Sequence, residues 1–152
     1  MILAFVLAQA AAPKFEDFPA PTPFQGTLAK PILRTSWQRT YRTRIRDAVK
    51  EGPNFAGHFK IAEWGCGSDC VGIAIIDEQT GAVYDGPFHI LAGSPTMTYP
   101  DAPSDPALGY KLASRLLVVH GCPGEKDCAS YYYEWTGTQF KLLRKLPAVE
   151  SH

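Results

Sequence analysis

The chain has 152 residues, of which 45% are hydrophobic and 20% are charged. This length suits one domain, and this balance excludes an intrinsically disordered chain and a membrane-embedded body. Fifteen Lys plus Arg residues offset fifteen Asp plus Glu residues, so the zero net charge supplies no global field that would favour nucleic acid as a partner.

The chain opens with an apolar segment that ends in Ala8-Gln9-Ala10. Small residues in this arrangement are typical of a signal peptidase site, so we predict a signal peptide over residues 1–10 and export to the periplasm or the cell exterior. The run is too short to span a bilayer, which takes roughly 20 apolar residues. We therefore expect no integral membrane segment after cleavage. The basic residues that usually begin a signal peptide are missing, and a buried N-terminal strand is the alternative.

Residues 11–33 are rich in proline and poor in apolar partners. They are predicted to form an extended arm that either lies on the domain or moves freely. A single disulfide-stabilised domain is predicted over residues 34–152. It begins with one amphipathic helix over Ser36–Glu51, where apolar side chains recur at helical spacing. Gly52 and Pro53 supply the left-handed cap and the stop that end such a helix.

The remainder of the chain is dominated by strand patterns. Alternating or continuous apolar runs predict strands at residues 57–64, 71–76, 82–84, 88–91, 114–120, 129–135 and 139–146. Residues 92–109 contain four prolines and no periodicity, which predicts a long loop that is either a functional lid or a loose insertion. The expected fold class is α+β, with the helix packed on a mostly antiparallel sheet or small sandwich of about six or seven strands.

The four cysteines fall into two close pairs, and an exported protein favours disulfides. Four cysteines allow three pairings. The spacing favours two local bridges, Cys66 with Cys70 and Cys122 with Cys128, while cross-paired alternatives remain open. Neither spacing matches the tight pairs of structural zinc motifs, so no metal is expected. The glycine and lysine patterns of nucleotide-binding loops are missing from the sequence as well, so we expect no cofactor.

One stretch carries a resemblance. Asn54-Phe55-Ala56-Gly57-His58 is followed by Trp64-Gly65-Cys66-Gly67 and by Cys70. This run resembles a recurring signature of uncharacterised exported bacterial proteins, and the resemblance covers roughly residues 34–90. It implies export and brings no established activity with it.

His58 is the best candidate for acid and base chemistry, because imidazole titrates near neutral pH and Asp69 is a nearby carboxylate. A small hydrolase or transferase that uses His58 with a neighbouring carboxylate is therefore the alternative function. A histidine at the start of a strand is more often a structural hydrogen-bonding residue. The nucleophile elbow and the zinc-protease helix are missing from the sequence.

The turn between Cys122 and Cys128 is short and polar, and a bridge at its base would make it rigid. Preorganised loops lose little entropy on docking. The turn is similar in kind to the disulfide-bounded loops of periplasmic lysozyme inhibitors, which implies an inhibitor-like role. The leading hypothesis is a non-catalytic envelope protein that binds a protein or cell-wall ligand. The candidate binding residues are Asn54, His58, Trp64, Glu125, Lys126, Asp127 and Tyr132.

Overall fold

The computed structural model describes residues 11–101 and 106–151. The predicted signal peptide, residues 1–10, lies outside these ranges. In the described part, a short 3₁₀ turn at Phe15–Asp17 precedes two helices, α1 (Ser36–Thr40) and α2 (Arg42–Val49). The strands are β1 (Phe59–Gly65), β2 (Cys70–Asp77), β3 (Val83–Ala92), β4 (Met97–Thr98), β5 (Leu108–Gly109), β6 (Leu116–Pro123), β7 (Ala129–Trp135), β8 (Phe140–Pro147) and β9 (Val149–Glu150).

Seven of these strands form one antiparallel sheet. Its order is β1-β2-β3-β6-β7-β8, with β5 beside β6, while β4 and β9 pair separately. The prediction of a mostly antiparallel sheet is confirmed. The predicted strands at 82–84 and 88–91 are two halves of β3, which bulges opposite Ile73 and so accommodates Pro87. The predicted loop at 92–109 contains the short strands β4 and β5.

The prediction of one amphipathic helix over Ser36–Glu51 is wrong, because the segment forms two short helices separated at Tyr41. The Tyr41 backbone leaves helical geometry at φ −103° and ψ 24°. The Thr40 hydroxyl donates to the Ser36 carbonyl at 2.8 Å, a bond that bends helices. The bend lets the Tyr41 ring stack on Trp64, with centroids 4.7 Å apart. No helix in the described part is long and apolar enough to cross a membrane.

The core lies between two three-stranded meanders, β1–β3 and β6–β8. Because side chains alternate between the faces of a strand, each strand places every second residue inward. Buried inward residues include Ile61, Ile73, Leu91, Leu117, Val119 and Tyr131. Aromatic rings join the two meanders, since Phe59 of β1 lies 5.2 Å from Trp135 of β7. One continuous sheet is therefore curled onto itself around a shared core.

The outer face of the sheet is covered by two segments. Helix α2 packs Ile45 and Val49 against β1 and β2. The N-terminal arm packs Phe15 against Val118 and Tyr132 on β6 and β7. Backbone N–H groups of the arm donate to domain carbonyls at Gly57, Glu78, Gly81 and Ala113. The arm therefore lies on the domain, which is one of the two arrangements that its composition allowed.

The two meanders meet where β3 pairs with β6 over two residues, Leu91 with Pro123 and Ala92 with Cys122. At Gly121, an added Cβ atom would lie 2.6 Å from a Leu91 methyl group and 2.9 Å from the Ala92 carbonyl oxygen. Only glycine allows the strands to approach this closely.

We expect Gly121→Ala to lower the free energy of unfolding by about 1–3 kcal/mol, because the backbone of β3 would have to shift. Urea denaturation would measure this change. Gly65→Ala is the matched control, since an added Cβ at Gly65 meets nothing within 4 Å and its backbone is not in the left-handed region. Equal stability of the two variants would contradict a close approach at Gly121.

Candidate functional site

The structure pairs the cysteines as the spacing favoured, Cys66 with Cys70 and Cys122 with Cys128. It also places the two bridges side by side. Cys70 on β2 and Cys122 on β6 both pair with Ala92, from opposite sides of β3. Strands in a sheet are spaced about 4.8 Å apart, so these two cysteines lie about 10 Å from each other. We call the two disulfide-closed turns, residues 66–70 and 122–128, the stapled edge.

The stapled edge holds acidic residues in unusual backbone conformations. Asp69, Glu125 and Asp127 have φ values of 50°, 66° and 55°. The left-handed region is costly for residues other than glycine, and the surrounding structure must hold them there. Backbone hydrogen bonds help to hold these conformations. The Gly93 N–H donates to the Asp69 carbonyl at 2.7 Å, and the Glu125 N–H donates to the Cys122 carbonyl at 3.0 Å.

The side chains of the stapled edge point to solvent. Residues 67–69 and 124–127 are exposed. Asp127 forms an ion pair with Lys145, and its carbonyl accepts a hydrogen bond from the Tyr131 hydroxyl. The carboxylates of Asp69 and Glu125 have no hydrogen-bond or ion-pair partner among residues 11–101 and 106–151. Two free carboxylates on rigid turns are thus available to a partner.

His58 and Asp69, the catalytic pair of the alternative enzymatic hypothesis, lie at opposite ends of the β1–β2 hairpin. All seven residues of β1 separate them, a distance of about 24 Å at the usual strand rise. The carboxylate beside His58 is instead Asp77, whose Oδ1 lies 2.9 Å from His58 Nδ1. The same oxygen accepts a bond of 2.9 Å from the Gln79 N–H, so the pair closes the turn after β2. This arrangement gives His58 a structural partner.

Two other predicted binding residues serve the fold. The Asn54 side chain accepts a hydrogen bond from the Ile61 N–H at 2.8 Å and donates to the Ile61 carbonyl at 3.1 Å. Trp64 is 4% exposed. It is covered by Trp37 of α1 and by Tyr41, the residue that follows α1. The Asn54 amide is therefore hydrogen-bonded, and the Trp64 ring is packed, against other parts of the protein.

Tyr132, the remaining predicted binding residue, lines a cleft of about 700 Å³ between the arm and the outer face of β5–β7. Its hydroxyl donates to Asp101, and the Ser130 hydroxyl donates to the other oxygen of that carboxylate at 2.6 Å. Burial raises the pKa of Asp101, but the hydrogen bonds from Ser130, Tyr132 and the Asp101 backbone act against burial, and the net pKa is lowered. Asp101 is therefore an anion at neutral pH.

His120 also lines the cleft and is 6% exposed. Its Nδ1 lies 3.2 Å from the Pro106 carbonyl oxygen, which can only accept, so Nδ1 carries the proton. In the neutral ring, Nε2 is then an acceptor, and it has no partner in the described part of the chain. Sequence analysis missed His120, although a histidine on the outward face of an apolar strand was a usable signal. Asp101 lies in a segment without periodicity and gave no signal.

A fully buried acid, Glu78, lies in the turn after β2, next to Asp77. Glu78 is 0% exposed, and neither of its carboxylate oxygens has a hydrogen-bond partner within the described residues. Burial raises its pKa from 4.5 to about 7, and the nearby Lys60 ammonium only partly opposes this. Its backbone is fully used, since its N–H donates to His58 and its carbonyl accepts from Ala29, each at 2.9 Å. Glu78 therefore affects stability in the physiological pH range.

Comparisons with known proteins identify no relative: no family model matches the chain, and neither a curated protein nor a solved structure is significantly similar to it.

Proposed function

We propose that this chain is a non-catalytic exported protein that binds a protein ligand through the stapled edge. The observation that carries this proposal is the placement of both disulfides on either side of Ala92. Two separate rigid turns thereby become one surface. Export is consistent with the two disulfides, since such bridges persist outside the cytosol, and with the apolar segment at residues 1–10.

The chemistry of the stapled edge favours a basic partner. Asp69 and Glu125 contribute two unpaired carboxylates, and Lys126, which follows Glu125, is the only cation in the two turns. Because the disulfides and backbone bonds already fix these turns, little conformational entropy is lost on docking. Complementary charge would steer a cationic protein surface to this edge and select against acidic proteins. A basic wall-degrading enzyme is the kind of partner that fits an inhibitor-like role.

Removing the two free carboxylates should weaken binding without disturbing the fold. We expect Asp69→Asn with Glu125→Gln to reduce affinity for the ligand at least about tenfold, because each lost charged contact is worth roughly 1.5–3 kcal/mol. Asparagine tolerates the left-handed backbone at position 69. The control pair, Asp47→Asn with Glu150→Gln, makes the same change in charge at two exposed sites elsewhere.

The measurement is capture by the immobilised protein from envelope extract, followed by interferometry with the purified partner and with lysozyme as a basic probe. A protein that the wild type and the control pair retain, and that the double variant loses, would support the proposal. Equal retention by all three forms would contradict it, as would retention of peptidoglycan fragments alone.

Opening the longer turn tests the contribution of rigidity. Cys122→Ser with Cys128→Ser leaves both carboxylates in place but frees the turn, so affinity should fall because the turn must order on binding. The same change should lower the free energy of unfolding by about 2 kcal/mol. Circular dichroism would show that the variant remains folded at the temperature of the binding assay.

A further inference from the structure

The cleft beside His120 is separate from the stapled edge and has the composition of a small-molecule site. We infer that it binds an organic amine, with a protonated ammonium group against Asp101 and His120 and an apolar group toward the arm. Clefts of about 300–1,000 Å³ with mainly apolar walls and a few polar groups are typical of such sites. The volume of about 700 Å³ lies in this range.

The apolar part of the cleft is built jointly by the arm and the sheet. Ala12 and Phe15 of the arm face Leu108 and Val118 of β5 and β6. Phe15 and Ala12 also pack on the buried residues Val118 and Tyr132. A hydrocarbon group would bind in this part of the cleft because apolar surface is removed from water.

The polar end of the cleft offers acceptors. The Asp101 carboxylate takes one hydrogen bond at each oxygen and has further lone pairs available. His120 Nε2 is a buried acceptor that has no partner within the described residues. An unpaired buried acceptor destabilises the folded protein, and a ligand N–H would remove that cost. An ammonium group supplies three donors and can satisfy both residues.

The charges of the cleft favour a cation over a neutral donor. Asp101 and Glu63 both line it, and the part of the chain that the structure describes gives neither of them an ion-pair partner. Glu63 accepts a hydrogen bond from the Tyr110 hydroxyl. Two lysines, Lys14 and Lys111, also line the cleft, and Lys111 lies over the Phe15 ring, 4.8 Å from its centroid. The three carboxylates of the lining, those of Glu16, Glu63 and Asp101, therefore outnumber its two lysines.

The probe for this site is 2-phenylethylamine, with 2-phenylethanol as the neutral and 3-phenylpropionate as the anionic counterpart of similar shape. Nuclear magnetic resonance titration would follow the His120 imidazole nitrogens and the methyl groups of Leu108 and Val118. We expect saturable binding of the amine, a shift of the Nε2 resonance, and affinity at least about tenfold above that of either counterpart.

The variants are Asp101→Asn and His120→Gln, each expected to weaken amine binding at least about tenfold. Asp101→Asn tests the site even if His120→Gln disturbs β6, because Asp101 lies at an exposed position outside the strands. His89→Gln is the matched control, since His89 stacks on Trp37 at the α1 side and does not line the cleft. Equal binding of the three compounds, no saturable binding at millimolar concentration, or unchanged affinity in Asp101→Asn would overturn the inference. Protein capture by the stapled edge and amine binding in the cleft are measured in separate experiments. Either proposal can therefore fail without affecting the test of the other.

Discussion

Trp135→Ala should lower the free energy of unfolding by about 3–5 kcal/mol, the usual cost of truncating a buried aromatic side chain. Trp135 is 1% exposed, at the centre of the contact between the two meanders. Its ring lies 5.2 Å from Phe59, 5.4 Å from Tyr84 and 4.7 Å from Phe140. The truncation would leave a cavity bordered by both halves of the curled sheet, which cannot collapse without moving three strands.

Urea denaturation followed by circular dichroism would measure this loss. Trp135→Phe is the conservative variant, because phenylalanine retains most of the ring contacts and removes an indole N–H that has no partner among the described residues. We expect this variant to lose less than half as much stability as Trp135→Ala. If Trp135→Ala is too unstable to purify, the phenylalanine variant still tests the claim. A cost below about 1 kcal/mol for the alanine variant would contradict a central role for Trp135.

The second large effect concerns Glu78 and depends on pH. Burial raises the pKa of this carboxyl from 4.5 to about 7. The folded chain therefore binds an extra proton between these two values, and the stabilisation is complete below pH 4.5 and lost as the pH rises through 7. A difference of this size corresponds to about 3 kcal/mol. Above pH 7 the folded state must hold a buried, unpaired carboxylate.

Glu78→Gln should remove this dependence. Glutamine is uncharged at every pH, so we expect the variant to gain about 3 kcal/mol relative to the wild type on going from pH 4.5 to 8. The measurement is the difference in unfolding free energy between the two proteins at a series of pH values. Glu150→Gln, at an exposed position, should follow the wild type throughout. Parallel curves for the wild type and Glu78→Gln would show that the Glu78 carboxyl is not desolvated.

Features that depend on near neighbours along the chain could be predicted from the sequence. Alternation of apolar residues located most strands, and residues 129–135 match β7 at both ends. Close spacing favoured the pairing of Cys66 with Cys70 and of Cys122 with Cys128, because short loops cost little entropy to close. Gly52 adopts the left-handed φ of 84° that its place after the helix predicted.

Helical spacing, by contrast, did not predict the division of the helix at Tyr41. The bend depends on where Trp64 lies on β1, a contact that spans more than twenty residues. Tertiary packing overrides local helical preference at such a site. The pairing of His58 with Asp77 rather than Asp69 has the same origin, because the turn after β2, and not distance along the chain, brings the two side chains together.

The candidate sites were decided by strand order. Both stapled turns are visible in the sequence, but only the placement of β3 between β2 and β6 makes them neighbours. The cleft requires the arm, the segment that contains Asp101, and β6 to meet on one face of the sheet. Local sequence determined the strands and the two disulfide-closed turns. Register and strand order determined what those elements present to a ligand, because both depend on contacts between distant residues.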